Sequence, residues 1–320
     1  MRTALVGLVC LLFFAIAQAV RDAFFGSVFQ SVSFLAVAIL AFGASTLVFG
    51  AWAWWRRRGQ VNSLLGFAWL FLALNATTAA AWLSYFFALK HAEPAIVNTL
   101  YTGIGPITVL VLSVLGVSMA GRAETGLVER FGYGGILLAL IAIGSVAVLG
   151  QSGLTGPQTG DPPAAVLAAV SGGMLIAIGH MIARHLGDHG IGSDVLMGLR
   201  FALTFGIAVV LEYSLGEPAM RPGADALPVL ALAAFGLIVI PSYFLQLGIA
   251  RTSPLAVNIV RSLGPVFVFA AQQFDGRVRF SGATLVCILA FVFFAILSSA
   301  LRAWAEVRRP SGRLQTGTQS

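Results

Sequence analysis

The chain has 320 residues, is 58% hydrophobic and only 10% charged, and carries a net charge of +7. A water-facing surface needs about 25% charged residues, so a chain with mean hydropathy +0.93 reads as an all-α polytopic membrane protein rather than a pair of soluble domains. The basic residues sit between apolar runs and not on a stripe with interleaved aromatics, so they are no nucleic-acid footprint, and Cys10 and Cys287, both inside apolar runs, give no disulfide signal.

A span needs about 20 apolar residues. Ten segments qualify: Ala4–Val20, Val32–Trp54, Leu65–Leu89, Pro94–Val117, Tyr133–Leu149, Pro163–Ala183, Val195–Leu215, Pro228–Ile249, Pro254–Gln273 and Gly282–Ala303. Each must be helical, because lipid offers no partner for a free backbone N–H or C=O. The first has a rival reading: Met1-Arg2-Thr3, an apolar run and Ala17-Gln18-Ala19 have the form of a signal peptide with a cleavage site.

Lys and Arg mark the cytoplasmic side. With the N-terminus inside, the inner ends hold Arg2, Arg56, Arg57, Arg58, Arg122, Arg130, Arg184, Arg251, Arg302, Arg308, Arg309 and Arg313. The outer loops then hold Arg21, Lys90, Arg221, Arg277 and Arg279, a ratio of 12 to 5 with Arg200 and Arg261 left within spans. Both termini are therefore predicted to be cytoplasmic, with the chain in a plasma (bacterial inner) membrane. Trp52, Trp54 and Trp55 beside the arginine triplet, and Trp304 near Arg302, have the character of interfacial anchors.

The chain also repeats itself. SYFFALKHAEPAIVNTLYTGIGPITVLVL from Ser84 is matched by SYFLQLGIARTSPLAVNIVRSLGPVFV from Ser242. The offset is 158 at the Ser, 160 at Pro94/Pro254 and Asn98/Asn258, and 159 at Gly105-Pro106/Gly264-Pro265. Two halves, 1–150 and 163–303, follow, joined by the polar linker 151–162 and ended by a tail, 304–320. The match between halves weighs against cleavage of the first span, since each half needs five. An odd number of spans per half turns the second half over in the membrane, the inverted-repeat plan of secondary transporters, with the site near mid-depth.

Ten spans in two halves, each with a short polar turn, a Pro-started helix and an internal Gly-Pro, resemble the drug/metabolite transporter superfamily, EamA type. The resemblance covers nearly the whole chain. It implies a basket-like bundle, alternating access and export of small organic metabolites, amino-acid-like or drug-like, with no enzymatic activity. It transfers no site residue.

The candidates come from this sequence. Asn98, Tyr101, Thr102 and Gly105 lie on one helical face, and Asn258, Arg261, Ser262 and Pro265 repeat it, continuing to Gln272. Such stripes face a wet cavity or bond to another helix. Pro106 and Pro265, near mid-depth, free the carbonyls of Thr102 and Arg261 and kink their helices. Arg261 is placed to meet a substrate carboxylate or to snorkel; Arg200, nearer a boundary, is read as snorkelling. Asn75, Trp82 and Tyr85 in the third span and Tyr243 and Gln246 in the eighth complete the binding candidates, with packing as their alternative role. Coupling is weakly marked: His180 as a proton relay, and Glu212, read as the only acid well within a span and lying toward its outer end.

No Gly-x-x-x-x-Gly-Lys loop, His-Glu-x-x-His or Gly-x-Ser-x-Gly occurs, so no cofactor or metal is expected. The alternative is a polytopic enzyme acting on a lipid-linked substrate, for which His185, Asp188 and His189 form the sole polar cluster. The expected partners are a small-molecule solute and the bilayer.

Overall fold

In a computed structural model the chain is all-α; residues 2–120, 127–155, 161–249 and 251–308 are described. Arg122, Arg309, Arg313, most of the predicted tail and part of the predicted linker (156–160) lie outside them. Fourteen α-helices follow in chain order: α1 Arg2–Val28, α2 Phe34–Arg56, α3 Arg58–Ser63, α4 Ala68–His91, α5 Pro94–Val114, α6 Leu127–Val148 and α7 Pro162–Asp188, then α8 Ser193–Leu199, α9 Ala202–Ser214, α10 Leu227–Ala234, α11 Ile240–Ile249, α12 Pro254–Ser262, α13 Gly264–Ala271 and α14 Gly282–Arg308. Among the described residues they make ten segments long and apolar enough to cross a membrane. The one strand-like feature there is an isolated bridge, Leu154 with Val278.

The helices begin and end where local chemistry dictates. Proline opens α5, α7 and α12, a position that wastes no hydrogen bond. The Asp161 carboxylate and the Ser253 hydroxyl accept from the amides of Ala164 and Ala256, capping α7 and α12. Gly150 (φ 70°) and Gly190 (φ 86°) take the left-handed conformation that stops α6 and α7.

Two boundaries correct the sequence reading. The first span does not stop at Val20: α1 runs on to Val28, carrying Arg21 and Asp22 into the bundle. The pair looks like a helix end in sequence, but the two charges neutralise one another and the helix continues. The sixth span likewise runs past Ala183 to Asp188.

Among the described residues four spans are interrupted, the third by a 3₁₀ turn, Leu64–Phe67, between α3 and α4. The seventh breaks at Arg200-Phe201 between α8 and α9, and the ninth at Leu263 between α12 and α13. The eighth contains a π-helical turn, Phe235–Val239, between α10 and α11. Of the two prolines expected to kink their helices, Pro265 sits at the break, in the first turn of α13. Pro106 lies exposed inside an unbroken α5.

α7 packs along α4 and α5, α14 along α6, α1 along α11 and α13, and α2 along α8 and α9. Gly173 sets the α5–α7 approach: a Cβ there would overlap the Tyr101 carbonyl oxygen and the Ile104 side chain. The apolar core is continuous from Phe25, Phe29 and Phe42 through Trp82, Tyr85 and Phe86 to Phe269 and Phe291.

Opposite ends of the bundle differ. At one, Arg56 lies over Trp52 and Trp55 (5.4 and 5.0 Å) and Arg58 over Trp54 (5.1 Å), with all three Trp exposed. At the other, the buried Glu93 carboxylate gathers the Gly153 amide (2.7 Å), the Gln272 side-chain amide (2.6 Å) and the Thr284 hydroxyl (3.1 Å). The Gln272 carbonyl oxygen accepts from the Ala95 amide at 2.9 Å. This knot ties α5, the 151–155 segment, the end of α13 and α14 together. Burial pushes the Glu93 carboxyl up from the ordinary carboxylate range; the three donors oppose that.

Candidate functional site

A cavity of about 70 Å³ lies inside the bundle, several times the ~10–15 Å³ that one water requires. Its wall is assembled from both halves of the chain. α1 supplies Phe14, Gln18 and Arg21; α4 supplies Trp82 and Tyr85; α5 supplies Tyr101 and Thr102. From the second half come Ile176 and His180 on α7, Met197 on α8, Arg200 and Phe201 at the α8–α9 break, Ser242, Leu245 and Gln246 on α11, and Arg261 on α12.

A charged cluster backs one side of it. Asp22, 0% exposed, accepts from Arg21 Nε (2.8 Å), the Tyr85 hydroxyl (2.5 Å) and Asn98 Nδ2 (2.8 Å). Arg21 also donates to the Tyr85 hydroxyl (3.2 Å) and places its guanidinium 5.2 Å from the ring centroids of both Trp82 and Tyr85. The Arg21–Asp22 ion pair closes at 2.7 Å. Six residues separate Asp22 from the end of α1, about 9 Å along the axis, so the cluster sits well inside the helix.

Arg200 is different. It is 4% exposed, donates to the Thr78 hydroxyl at 3.2 Å, and leaves its Nε without a partner. Its snorkelling role is therefore corrected: the break in the seventh span turns the side chain inward, over the Phe201 ring at 5.4 Å. Arg261 lines the same cavity from α12. Neither arginine has a carboxylate within ion-pair distance among the described residues.

Of the residues singled out in the sequence, Tyr101, Thr102, Arg261, Trp82, Tyr85, Gln246 and His180 are brought together at the cavity wall. The Tyr85 and Tyr101 rings pack at 4.4 Å. Thr102 spends its hydroxyl on the Asn98 carbonyl at 2.7 Å.

The others lie elsewhere, each for a readable reason. Asn98 is fully buried behind Tyr85, holding Asp22, with its own Oδ1 unpartnered. Asn258 is exposed, on the face of α12 turned from the cavity. Gln272 belongs to the Glu93 knot. Asn75 repairs the broken seventh span, its Oδ1 accepting from the Leu203 amide at 3.3 Å. Tyr243 stacks on Phe49 at 5.8 Å, beyond the wall. Glu212 takes the Ser33 hydroxyl at 2.5 Å and pairs with Arg221 at 3.4 Å, an interhelical tie at the Glu93 end.

The reading of Glu212 as the only acid well within a span is corrected by Asp22, and with it the placing of Arg21 in an outer loop. A signal for them existed: Phe14, Gln18 and Arg21 follow i, i+4, i+7 on one face. Elsewhere, Asp188 and His189 are exposed, and His189 packs on His185 at 4.5 Å between ring centroids. No cluster of metal-ligating side chains occurs among the described residues.

No protein family and no curated protein matches the chain. A solved structure described as "Crystal structure of protein" is similar to it, with a TM-score of 0.62 at 19% identity, covering 95% of this chain and 99% of that one. At that identity the likeness is one of fold. The ten-helix architecture thus recurs over nearly the full length of a second chain.

Proposed function

We propose that this protein is a secondary transporter of the EamA type in the drug/metabolite transporter superfamily. It moves a small organic solute, outward, across the plasma membrane by alternating access. The observation that carries this reading is the interior cavity, bordered by Arg21, Arg200 and Arg261 and walled by helices from both halves of the chain. A lipid-embedded bundle does not keep buried arginines without a use, because ionisable groups at that depth are costly.

The duplicated segments support an inverted pair of five-helix halves with the site between them. The interrupted seventh span supports it too, since its break at Arg200-Phe201 lines the cavity, one of the places where a membrane helix tolerates interruption. Tryptophan and arginine cluster at the α2 end, which we place in the cytoplasm with both termini. Asp22, held behind the cavity wall by Arg21, Tyr85 and Asn98, replaces Glu212 as the acid to which proton movement is assigned, alongside His180 in the wall itself.

The test is counterflow. Proteoliposomes are preloaded with unlabelled pooled metabolites, and entry of trace labelled solutes of each charge class is followed with and without a pH gradient. A transient overshoot for at least one class, absent from protein-free vesicles, is expected. No overshoot for any class overturns the proposal.

A further inference from the structure

We infer that the solute is a compact organic dianion, bound between Arg200 and Arg261. This rests on the transporter reading above and names its substrate class. The cavity wall carries an unbalanced charge. Arg21 is already neutralised by Asp22 at 2.7 Å. Arg200 and Arg261 are not: no carboxylate reaches either among the described residues, and the Arg200 Nε is buried without any acceptor. A guanidinium withdrawn from water needs a counter-charge to offset its desolvation. Two such groups on one small cavity leave a double positive charge that a neutral solute or a cation does not answer.

A single carboxylate satisfies one guanidinium and leaves the other unpaired. Two carboxylates on a short carbon chain, or one phosphoryl group on a small alcohol, satisfy both, and each presents the paired oxygens that a guanidinium fork accepts. The cavity, about 70 Å³, is smaller than the ~150 Å³ that holds a benzene-sized guest, so the solute must be small and its entry must open the wall around it. Gln246 and Gln18 offer amides for further polar atoms, while Trp82 and Phe201 wall the carbon skeleton.

The test uses the full-length protein in detergent micelles and isothermal titration calorimetry. Succinate and glycerol 3-phosphate are the two dianion probes; butyrate, alanine, glycerol and ethanolamine are the controls. At least one dianion binds about tenfold or more tightly than butyrate, the size of a charged hydrogen-bonded contact. Whichever dianion binds tighter tells carboxylate from phosphoryl recognition. Arg261→Gln loses about tenfold in dianion affinity with an unchanged melting temperature, because no carboxylate among the described residues pairs with Arg261. Arg261→Lys recovers part of it, since it keeps the charge and loses the fork. Arg200→Gln does the same where it folds.

Failure of both dianions to bind, equal affinity for butyrate, or an unchanged affinity in folded Arg261→Gln overturns the inference. The two readings fail separately. Overshoot of a solute of another charge class, unaffected by Arg261→Gln, leaves the transporter and removes the dianion. Tight dianion binding without overshoot leaves the anion site and removes the transporter.

Discussion

Asp22 is the residue on which the polar interior turns. Its carboxylate holds Arg21, Tyr85 and Asn98 in one network, and each of those groups is buried. Asp22→Asn keeps the volume but leaves Arg21 as an unpaired charge, a change that costs about 3–5 kcal/mol for a buried pair. We expect a melting temperature lowered by several degrees and counterflow reduced at least tenfold; Tyr85→Phe, which removes one hydroxyl and no charge, costs about 1–3 kcal/mol. Equal effects of the two substitutions would contradict an electrostatic role for Asp22. Sequence reasoning missed it for a physical reason. Two adjacent opposite charges after an apolar run look like a water-facing end, and only the fold shows that they cancel. Tyr101 and Arg261 were legible as part of a polar stripe within a span, which must face a cavity or another helix; Trp82 reads as a stacking surface, with packing as its alternative. Asn258 and its counterpart Asn98 both miss the cavity, whereas Tyr101 and Arg261, at matching positions one turn on, both reach it; Asn98 is buried against Asp22 and Asn258 is exposed.

At the scale of elements, the spans were legible from apolar length and their interruptions were not. Both Gly-Pro pairs look alike in sequence, yet α5 passes through Pro106 unbroken while the ninth span ends one helix and starts another at Leu263. The α5–α7 contact is equally specific. Gly173→Val would force its branched side chain into the Tyr101 backbone and Ile104, so overpacking of about 1–3 kcal/mol or more is expected, with Tyr101 displaced from the wall. A melting temperature within a degree of wild type would contradict that approach. The Glu93 knot makes a further prediction. Its carboxyl holds a proton more tightly in the folded chain than an ordinary carboxylate does. It therefore adds stability at pH below the ordinary carboxylate range, and that contribution is lost as pH rises through the raised value. Thermal melts of wild type should show this decline, and Glu93→Gln should not; parallel pH profiles would contradict the assignment.

For the whole molecule, fold class followed from composition, because a chain this apolar has one solvent in which it is stable. A chain of 19% identity shares the architecture over 95% of this one, although composition and span order were enough to anticipate it. What the composition does not carry is which side chains meet at the centre. If the protein works by alternating access, the central cavity faces each side of the membrane in turn. The most direct measurement is labelling of Gln246→Cys, with Cys10 and Cys287 replaced by Ala, by a membrane-impermeant thiol reagent applied to one side of sealed, oriented vesicles at a time. Alternating access gives labelling from both sides, each protected by bound solute, with the more reactive side exchanged when solute is supplied across the membrane. Labelling from one side alone under every condition, or from neither, would contradict it.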